Sequence, residues 1–539
     1  EKQIILEDDG VPRGRLLEIL FKSVEREIPF TIPSDEFSTG RLGKRIMEVA
    51  GSSAIIYGST KGLVIGTQAL SGKVAEQIVR SRGLTPDGNY LSEGMMITPK
   101  GIENSGEIHV YAGDGNLAKR LKFLRPGNLK RLQQVGRHLC RDFLELKSHA
   151  VTYPLIGHIS LSPFASEIPR LLGTEKVALH LEGPSGGGKT FLATLGMLFF
   201  GEYQEKIPAW ISTPNFLEAE GYWFRDALFL VDDYKQGLIP QESIIRVLQN
   251  YSGGHGRGRL KSNSIVQSAP FIRGLLLSTG EDFVSDVESV TGRTIRVKVD
   301  PQKDTKAGDK CKKYSLFYPM FTPGLIHSVI SKPDWKTKAK DFVNEKKDVF
   351  FKETQGLSNG LRVASNWSLN ALGFSFFVNY LLELGVITAG TRDKMTEEYG
   401  NIVKGHLQDQ LERLAMESPV EIFFRIIGQK LAAGNISVPG LNDSPARGKI
   451  IGRAKDGSVA IFPDIAYAVL VEHFRSVGQR VAISRNSLRD ALAKEGLIQQ
   501  PKDGRWTTQV RGEGGIRHQA WALEIEAFRK RVAVEVEES

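Results

Sequence analysis

Eight consecutive residues, Gly183-Pro184-Ser185-Gly186-Gly187-Gly188-Lys189-Thr190, match the pattern GxxxxGK[ST], whose chemistry is phosphate binding. The glycines let successive backbone N–H groups turn around a phosphate, Lys189 has the length and charge to reach the β- and γ-phosphates, and the Thr190 hydroxyl is a ligand for Mg²⁺. The flanks are in the required order. Lys176-Val177-Ala178-Leu179-His180-Leu181 predicts a buried strand, and Phe191 to Phe200 predicts an apolar helix whose N-terminus adds its positive end. The expectation is ATP with Mg²⁺, held by Gly183 through Phe191. The bland alternative is a glycine-rich turn from strand to helix without a ligand.

A second magnesium ligand and a base are expected further along. Ala227-Leu228-Phe229-Leu230-Val231-Asp232-Asp233 is an apolar run ending in two carboxylates, as in a central parallel strand whose C-terminal end faces the ligand. Asp232 is the candidate for the Mg²⁺ shell, and Asp233 for orienting and deprotonating the attacking water. A third run, Gly274-Leu275-Leu276-Leu277-Ser278-Thr279-Gly280-Glu281-Asp282, again ends in polar residues. It is expected between the other two strands, touching the γ-phosphate or the water. Thr291-Gly292-Arg293-Thr294-Ile295-Arg296-Val297-Lys298-Val299 reads as a loop feeding a further strand. An arginine here reaches a neighbouring subunit's γ-phosphate in ring ATPases; Arg293 is the first candidate, Arg296 the second, and a solvated loop arginine the alternative.

Between the second and third strands, Glu242 to Tyr251 has a helical pattern. Glycines then alternate with His255, Arg257 and Arg259, and Lys261 follows. Tight turns that project cations suit a hairpin aimed at nucleic-acid phosphates. An exposed basic loop is the other reading. Ala209-Trp210-Ile211-Ser212-Thr213 is read as a strand before Pro214-Asn215-Phe216-Leu217-Glu218.

Taken in order, GPSGGGKT, ALFLVDD, the basic hairpin, LLLSTGED and TGRTIRVKV resemble the superfamily 3 and MCM-like helicases, the pre-sensor-hairpin branch of the AAA+ ATPases. The similarity covers about Thr174 to Asp300 and is closest to replicative helicases of phages, plasmids and chromosomal islands. It implies an ATP-dependent DNA helicase working on single-stranded or forked DNA during replication of a mobile element. A homo-hexamer is implied, with active sites between subunits and a primase or replication initiator as partner. Superfamily 3 sensor strands end in asparagine; here Thr279 or Ser278 stands at that end. An AAA+ ring that remodels protein, or regulates a transposition or defence complex, would share the nucleotide residues and differ in the pore.

The rest of the chain must position these groups. Its 539 residues, 41% hydrophobic, suit three or four domains. The 71 Lys+Arg against 62 Asp+Glu give a net charge of +9, a moderate basic bias that accords with a polyanionic partner. Cys140 and Cys311 lack metal-ligand spacing and argue for a reducing, cytoplasmic setting. The most apolar helix, Leu372 to Ile387, is interrupted by Asn379 and Glu383, so no membrane segment is expected. The chain opens on Glu1, which leaves room for an upstream segment such as a primase.

The expected fold is α/β: an AAA+ P-loop ATPase core at 150–301, an α/β N-terminal accessory domain at 1–149, a helical lid or collar at 302–444 and a C-terminal winged helix at 445–539. In the first domain, Ser53-Ala54-Ile55-Ile56-Tyr57 and Gly62-Leu63-Val64-Ile65-Gly66 read as short strands. Arg120, Lys122, Arg125, Lys130, Arg131 and Arg137 form a basic stretch, either a DNA contact or a solvated helix face. Lys303 to Lys313 reads as a polar loop before the helices begin. Ser484 is the expected N-cap of a second winged-helix helix carrying Arg485 and Arg489, a groove reader or a docking module.

Overall fold

A computed structural model describes residues 2–8, 11–22, 27–51, 54, 56, 58–71, 75–104, 109–111, 121–202, 207–235, 238–254, 258–260, 266–268, 270–283, 292–301, 305–355, 359–416, 418–441, 448–476, 484–498, 508–511 and 517–532. The chain divides into two compact units. One comprises Glu1–Lys235, Gln241–Phe283 and Arg293–His406; the other comprises Gln236–Pro240, Val284–Gly292 and Leu407–Ser539.

In the first unit the apolar runs form the strands β1 (Ala178–Glu182), β2 (Leu228–Tyr234), the short β3 (Gly258–Leu260) and β4 (Val266–Ser268), then β5 (Leu275–Gly280) and β6 (Thr294–Lys298). Four of them make a parallel sheet in the order β2-β5-β1-β6. Every residue of β1 and β5 is buried, which explains why these strands read as continuous apolar runs instead of alternating ones. The run ending in Ser278-Thr279 lies between the phosphate-loop strand and the acidic strand. β3 and β4 pair antiparallel, Gly258 opposite Ser268, and so form a hairpin just before β5.

The helices of the same unit include α1 (Leu129–His138), α2 (His149–Leu161), α3 (Lys189–Met197), α4 (Gln241–Gly253), α5 (Thr305–Tyr314), α6 (Tyr318–Ile330) and α7 (Gly360–Glu383); α3 packs on β2 and β5, and α2 and α7 pack on β6. From Val151 to Leu161, α2 is buried throughout. A Cβ at Gly373 of α7 would overlap the Gly157 carbonyl of α2, so the two helices touch backbone to backbone. α2 is tied to the sheet by His158, whose Nε2–H donates to the Leu276 carbonyl at 3.0 Å. Burial pushes this imidazole down to about 3, and it is neutral.

A four-stranded antiparallel sheet, Gly83–Leu84, Tyr90–Ser92, Met95–Thr98 and Gly101–Glu103, is fastened to the start of β2. Asp226 is the fastener. Its carboxylate accepts from Leu84 N at 2.9 Å and from Ser166 N at 2.8 Å, and its carbonyl accepts from the Tyr90 hydroxyl at 2.6 Å. A Cβ on Gly83 would collide with that carboxylate.

Three local expectations are corrected. Gly62 to Gly66 lies in a helix, Thr60–Leu70, because Ser59 caps Gly62 N at 3.1 Å and Leu63 and Val64 pack on the cluster of Leu17, Ile32 and Leu42. The lysine-rich stretch read as a loop is helical from Thr305 to Tyr314, with Cys311 as its buried contact. Ala209 to Thr213 makes one bridge, Ala209 to Asp232, before turning into Pro214–Tyr222.

The second unit packs helices Pro419–Ala432, Pro463–Ser476, Arg485–Lys494 and Ile525–Val532 with an antiparallel sheet of Gly452–Lys455, Ser458–Ile461, Arg517–Glu524 and Thr508–Arg511. Its core includes Phe423, Leu470, Leu488, Trp521 and Phe528. Pro419–Ala432, which the sequence grouped with the helical region, belongs to this core. Ser484 accepts from Ser487 N at 3.1 Å, while Arg485 pairs with Asp464 and Arg489 with Asp490. Residues 442–447, across the expected boundary between the helical region and the winged helix, lie outside the described residues.

Candidate nucleotide site

The phosphate loop leaves the C-terminal end of β1 and enters α3 at Lys189. Gly186 and Gly188 have φ of 75° and 85°, conformations that glycine adopts without a Cβ penalty. A Cβ on Gly183 would lie 2.7 Å from the Val299 carbonyl, so that position is fixed by packing against the end of β6. The Lys189 ammonium donates to the carbonyls of Gly183 at 2.8 Å and Pro184 at 2.9 Å, which holds it inside the mouth of the loop.

Opposite the loop, three side chains meet at one oxygen. Thr190 Oγ1 donates to Asp232 Oδ1 at 3.0 Å, and Thr279 Oγ1 donates to the same atom. A hydroxyl and a carboxylate at this separation are hard oxygen donors suited to Mg²⁺. The donor set and the glycine loop therefore fit a magnesium-bound triphosphate.

Asp232 and Asp233 are sequence neighbours, and in a regular strand their side chains would point to opposite faces. The structure breaks that alternation. The pairing of β2 with β5 is irregular between Val231 and Tyr234, and Asp233 has φ of 58°. This bulge brings both carboxylates to a cavity of about 290 Å³ that Ser185, Lys189, Phe191, Thr279 and Glu281 also line. Bulges re-aim side chains, and a non-glycine residue in the left-handed region is a local strain that the surroundings must hold. Here Asp233 N donates to Thr279 Oγ1 at 3.3 Å, and its half-exposed carboxylate pairs with Lys235 at 3.2 Å.

Ser278 and Thr279 have different positions. Thr279 lines the cavity, whereas Ser278 is buried on the other side of β5, accepting from Trp210 Nε1 at 2.7 Å. Its hydroxyl lies 2.9 Å from His180 Nδ1, and His180 Nε2 donates to the Asp282 carbonyl at 2.9 Å. Ser278 is thus a buried cross-link. Glu281 was not singled out by sequence; its place just beyond the polar end of β5 was the available signal.

Arg293 stands at the N-terminal end of the sheet, and the phosphate loop leaves the C-terminal end. A strand of five residues separates them by roughly 15 Å, so Arg293 does not reach the loop of its own chain. It makes a two-pronged ion pair with Glu175, at 2.9 and 3.2 Å. Arg296, half-buried on β6, pairs with Glu182 at 2.7 Å. His255, Arg257 and Lys261 lie outside the described residues; Arg259 is on β3, where only the backbone is described.

The family described as "Domain of unknown function (DUF927)" matches residues 95–268, from the small antiparallel sheet to the end of the hairpin. No curated protein matches the chain by sequence. A solved structure described as "The A form apo structure of NrS-1 C terminal region-CTR" aligns at a TM-score of 0.31 and 10% identity, covering 94% of each chain, too distant to bear on the fold. The structure described as "SCCmec type IV Cch - active helicase" aligns at a TM-score of 0.61 and 14% identity, covering 99% of this chain and 94% of that chain. Over nearly its whole length, the chain shares the mixed α/β fold of that helicase structure.

Proposed function

We propose that the protein is an ATP-dependent DNA helicase, a AAA+ ring motor that moves along single-stranded DNA during replication of a mobile element. The observation that carries this reading is the convergence of Lys189, Thr190, Asp232, Asp233 and Thr279 on one cavity at the mouth of a glycine loop. The fold shared with a structure named as a helicase of an SCCmec element supports the choice of activity.

In this reading Lys189 turns from the loop carbonyls to the β- and γ-phosphates, and Thr190 and Asp232 hold Mg²⁺. The metal, when bound, neutralises charge that develops on the transferred phosphoryl group. Asp233 orients the attacking water and takes its proton, with Thr279 fixing the backbone that presents it. Arg293 leaves Glu175 to serve the site of the next subunit. The C-terminal unit is a winged helix, and the chain assembles as a homo-hexamer with a primase or replication initiator as its partner.

The hairpin of β3 and β4 carries the DNA strand through its backbone phosphates. The test is ATP turnover with Mg²⁺ and single-stranded DNA, with the parent compared against a variant bearing alanine at His255, Arg257, Arg259 and Lys261. The parent is expected to be stimulated by DNA; the variant, with an unchanged melting temperature, is expected to lose that stimulation. Equal stimulation of both proteins removes the hairpin from the account.

A further inference from the structure

Two cations of the basic stretch that the sequence left open, Lys130 and Arg137, share a face with cations of a second segment, while Arg131 lies over the Phe317 ring at 4.2 Å and Arg120 lies outside the described residues. Along α1 and the π-helical turn Leu139–Phe143 that continues it, Lys130, Arg137 and Arg141 recur at helical spacing and are exposed. The opposite side of α1 carries the buried Leu132 and Val135, and His138 is buried on the flank between them and the stripe. Helix α5 lies against this stripe. Lys310 Nζ is 3.6 Å from Asp142 Oδ1, the carboxylate that Arg141 also binds, and Lys313 is one helical turn further along. Residues 121–143 and 305–317 contain two acids, Asp142 and Asp309, and Asp142 is buried among its cations. Lys130, Arg137 and Lys313 form no ion pair with another described residue.

The same face holds an aromatic platform. Tyr314 lies with its ring centroid 4.3 Å from that of His138, at 18° between planes, and is 40% exposed. His138 is itself fixed by Asp142 at 2.9 Å and Tyr318 at 3.1 Å, so the tyrosine ring is held in place from behind. Cations in a row beside a supported ring are the elements that bind single-stranded nucleic acid: the row follows phosphates and the ring stacks on a base. From Lys130 to Arg141 the stripe runs roughly 16 Å at 1.5 Å per residue, long enough to meet several phosphates.

We propose that this face is a second binding site for single-stranded nucleic acid, separate from the hairpin, in which Lys130, Arg137, Arg141, Lys310 and Lys313 contact the backbone and Tyr314 stacks on a base. It goes beyond the proposed motor activity and does not depend on ATP. The partner is a single strand because the exposed ring recognises an unpaired base; a duplex keeps its bases stacked on one another.

The experiment is fluorescence anisotropy of the full-length chain with labelled oligothymidylate, in the absence of nucleotide and over a range of salt. Replacing Lys130, Arg137 and Lys313 together with alanine should weaken binding at low salt by about tenfold or more. It should also flatten the logarithmic salt slope by about two, near 0.7 for each lost phosphate contact. Tyr314→Ala should weaken binding about fivefold or more with the slope unchanged, and Tyr314→Phe should bind as the parent does. Ultraviolet irradiation should cross-link the oligonucleotide at Tyr314 even in the protein neutralised at the hairpin. Parental affinity and slope in the triple variant, or failure of that cross-link, would overturn the proposal. So would a triple variant that loses only duplex binding while Tyr314→Ala has no effect. A chain that binds through this face but shows no DNA-stimulated turnover would sink the motor reading and leave this site standing.

Discussion

At the scale of single residues, Asp233 is the most telling position. Neighbouring acids on a strand serve one site only if the backbone is broken between them, and the bulge with its left-handed Asp233 does that. The two carboxylates then have different surroundings, which is the basis for the separate tasks proposed for them. Asp232 is committed to Thr190 and Thr279, whereas Asp233 is half-exposed and faces the cavity. Lys189→Ala removes the ammonium that compensates phosphate charge and should weaken ATP binding about tenfold or more. Asp233→Asn keeps the shape and removes the proposed base, so binding should persist while turnover falls roughly 10²- to 10⁴-fold. Calorimetric titration with ATP beside steady-state turnover separates the two; equal loss of binding in both variants contradicts these roles. The loop and the acid pair were legible because their types and spacing are local. The decision between Ser278 and Thr279 was not, since it depends on which face of β5 meets Trp210 and His180 and which meets the cavity.

Elements were legible in proportion to the strength of their apolar pattern. The buried runs of β1, β2 and β5 announce themselves, and α7 is apolar over most of its length. Helix α5 was missed because Ala307, Cys311 and Tyr314 are its sparse apolar positions among lysines, and the stretch Gly62 to Gly66 because two β-branched residues between glycines imitate a strand. The attachment of the antiparallel sheet to β2 had no sequence signal at all, since it joins residues more than a hundred positions apart. Asp226 makes that joint, and it accepts from two backbone amides and the Ser166 hydroxyl while fully buried. Asp226→Ala leaves those donors without an acceptor and should cost roughly 3 kcal/mol or more. Urea denaturation followed by tryptophan fluorescence should show an earlier midpoint, and an unshifted midpoint would mean that the joint does not stabilise the fold.

For the whole molecule, the position of Arg293 carries the argument for a shared active site. It lies at the end of the sheet away from its own phosphate loop and is held by Glu175, so its use in catalysis requires a second subunit. Arg293→Ala mixed with Lys189→Ala should recover part of the ATPase activity that each lacks alone, because one class of interface then contains both intact halves. No recovery in assemblies shown to mix would remove Arg293 from the site. The central claim is that nucleotide turnover drives strand separation. The most direct measurement is displacement of a labelled strand from a forked DNA substrate with ATP and Mg²⁺, by the parent and by Lys189→Ala. The account predicts displacement by the parent and none by the variant; a parent that hydrolyses ATP on the fork and leaves the strands paired would contradict it.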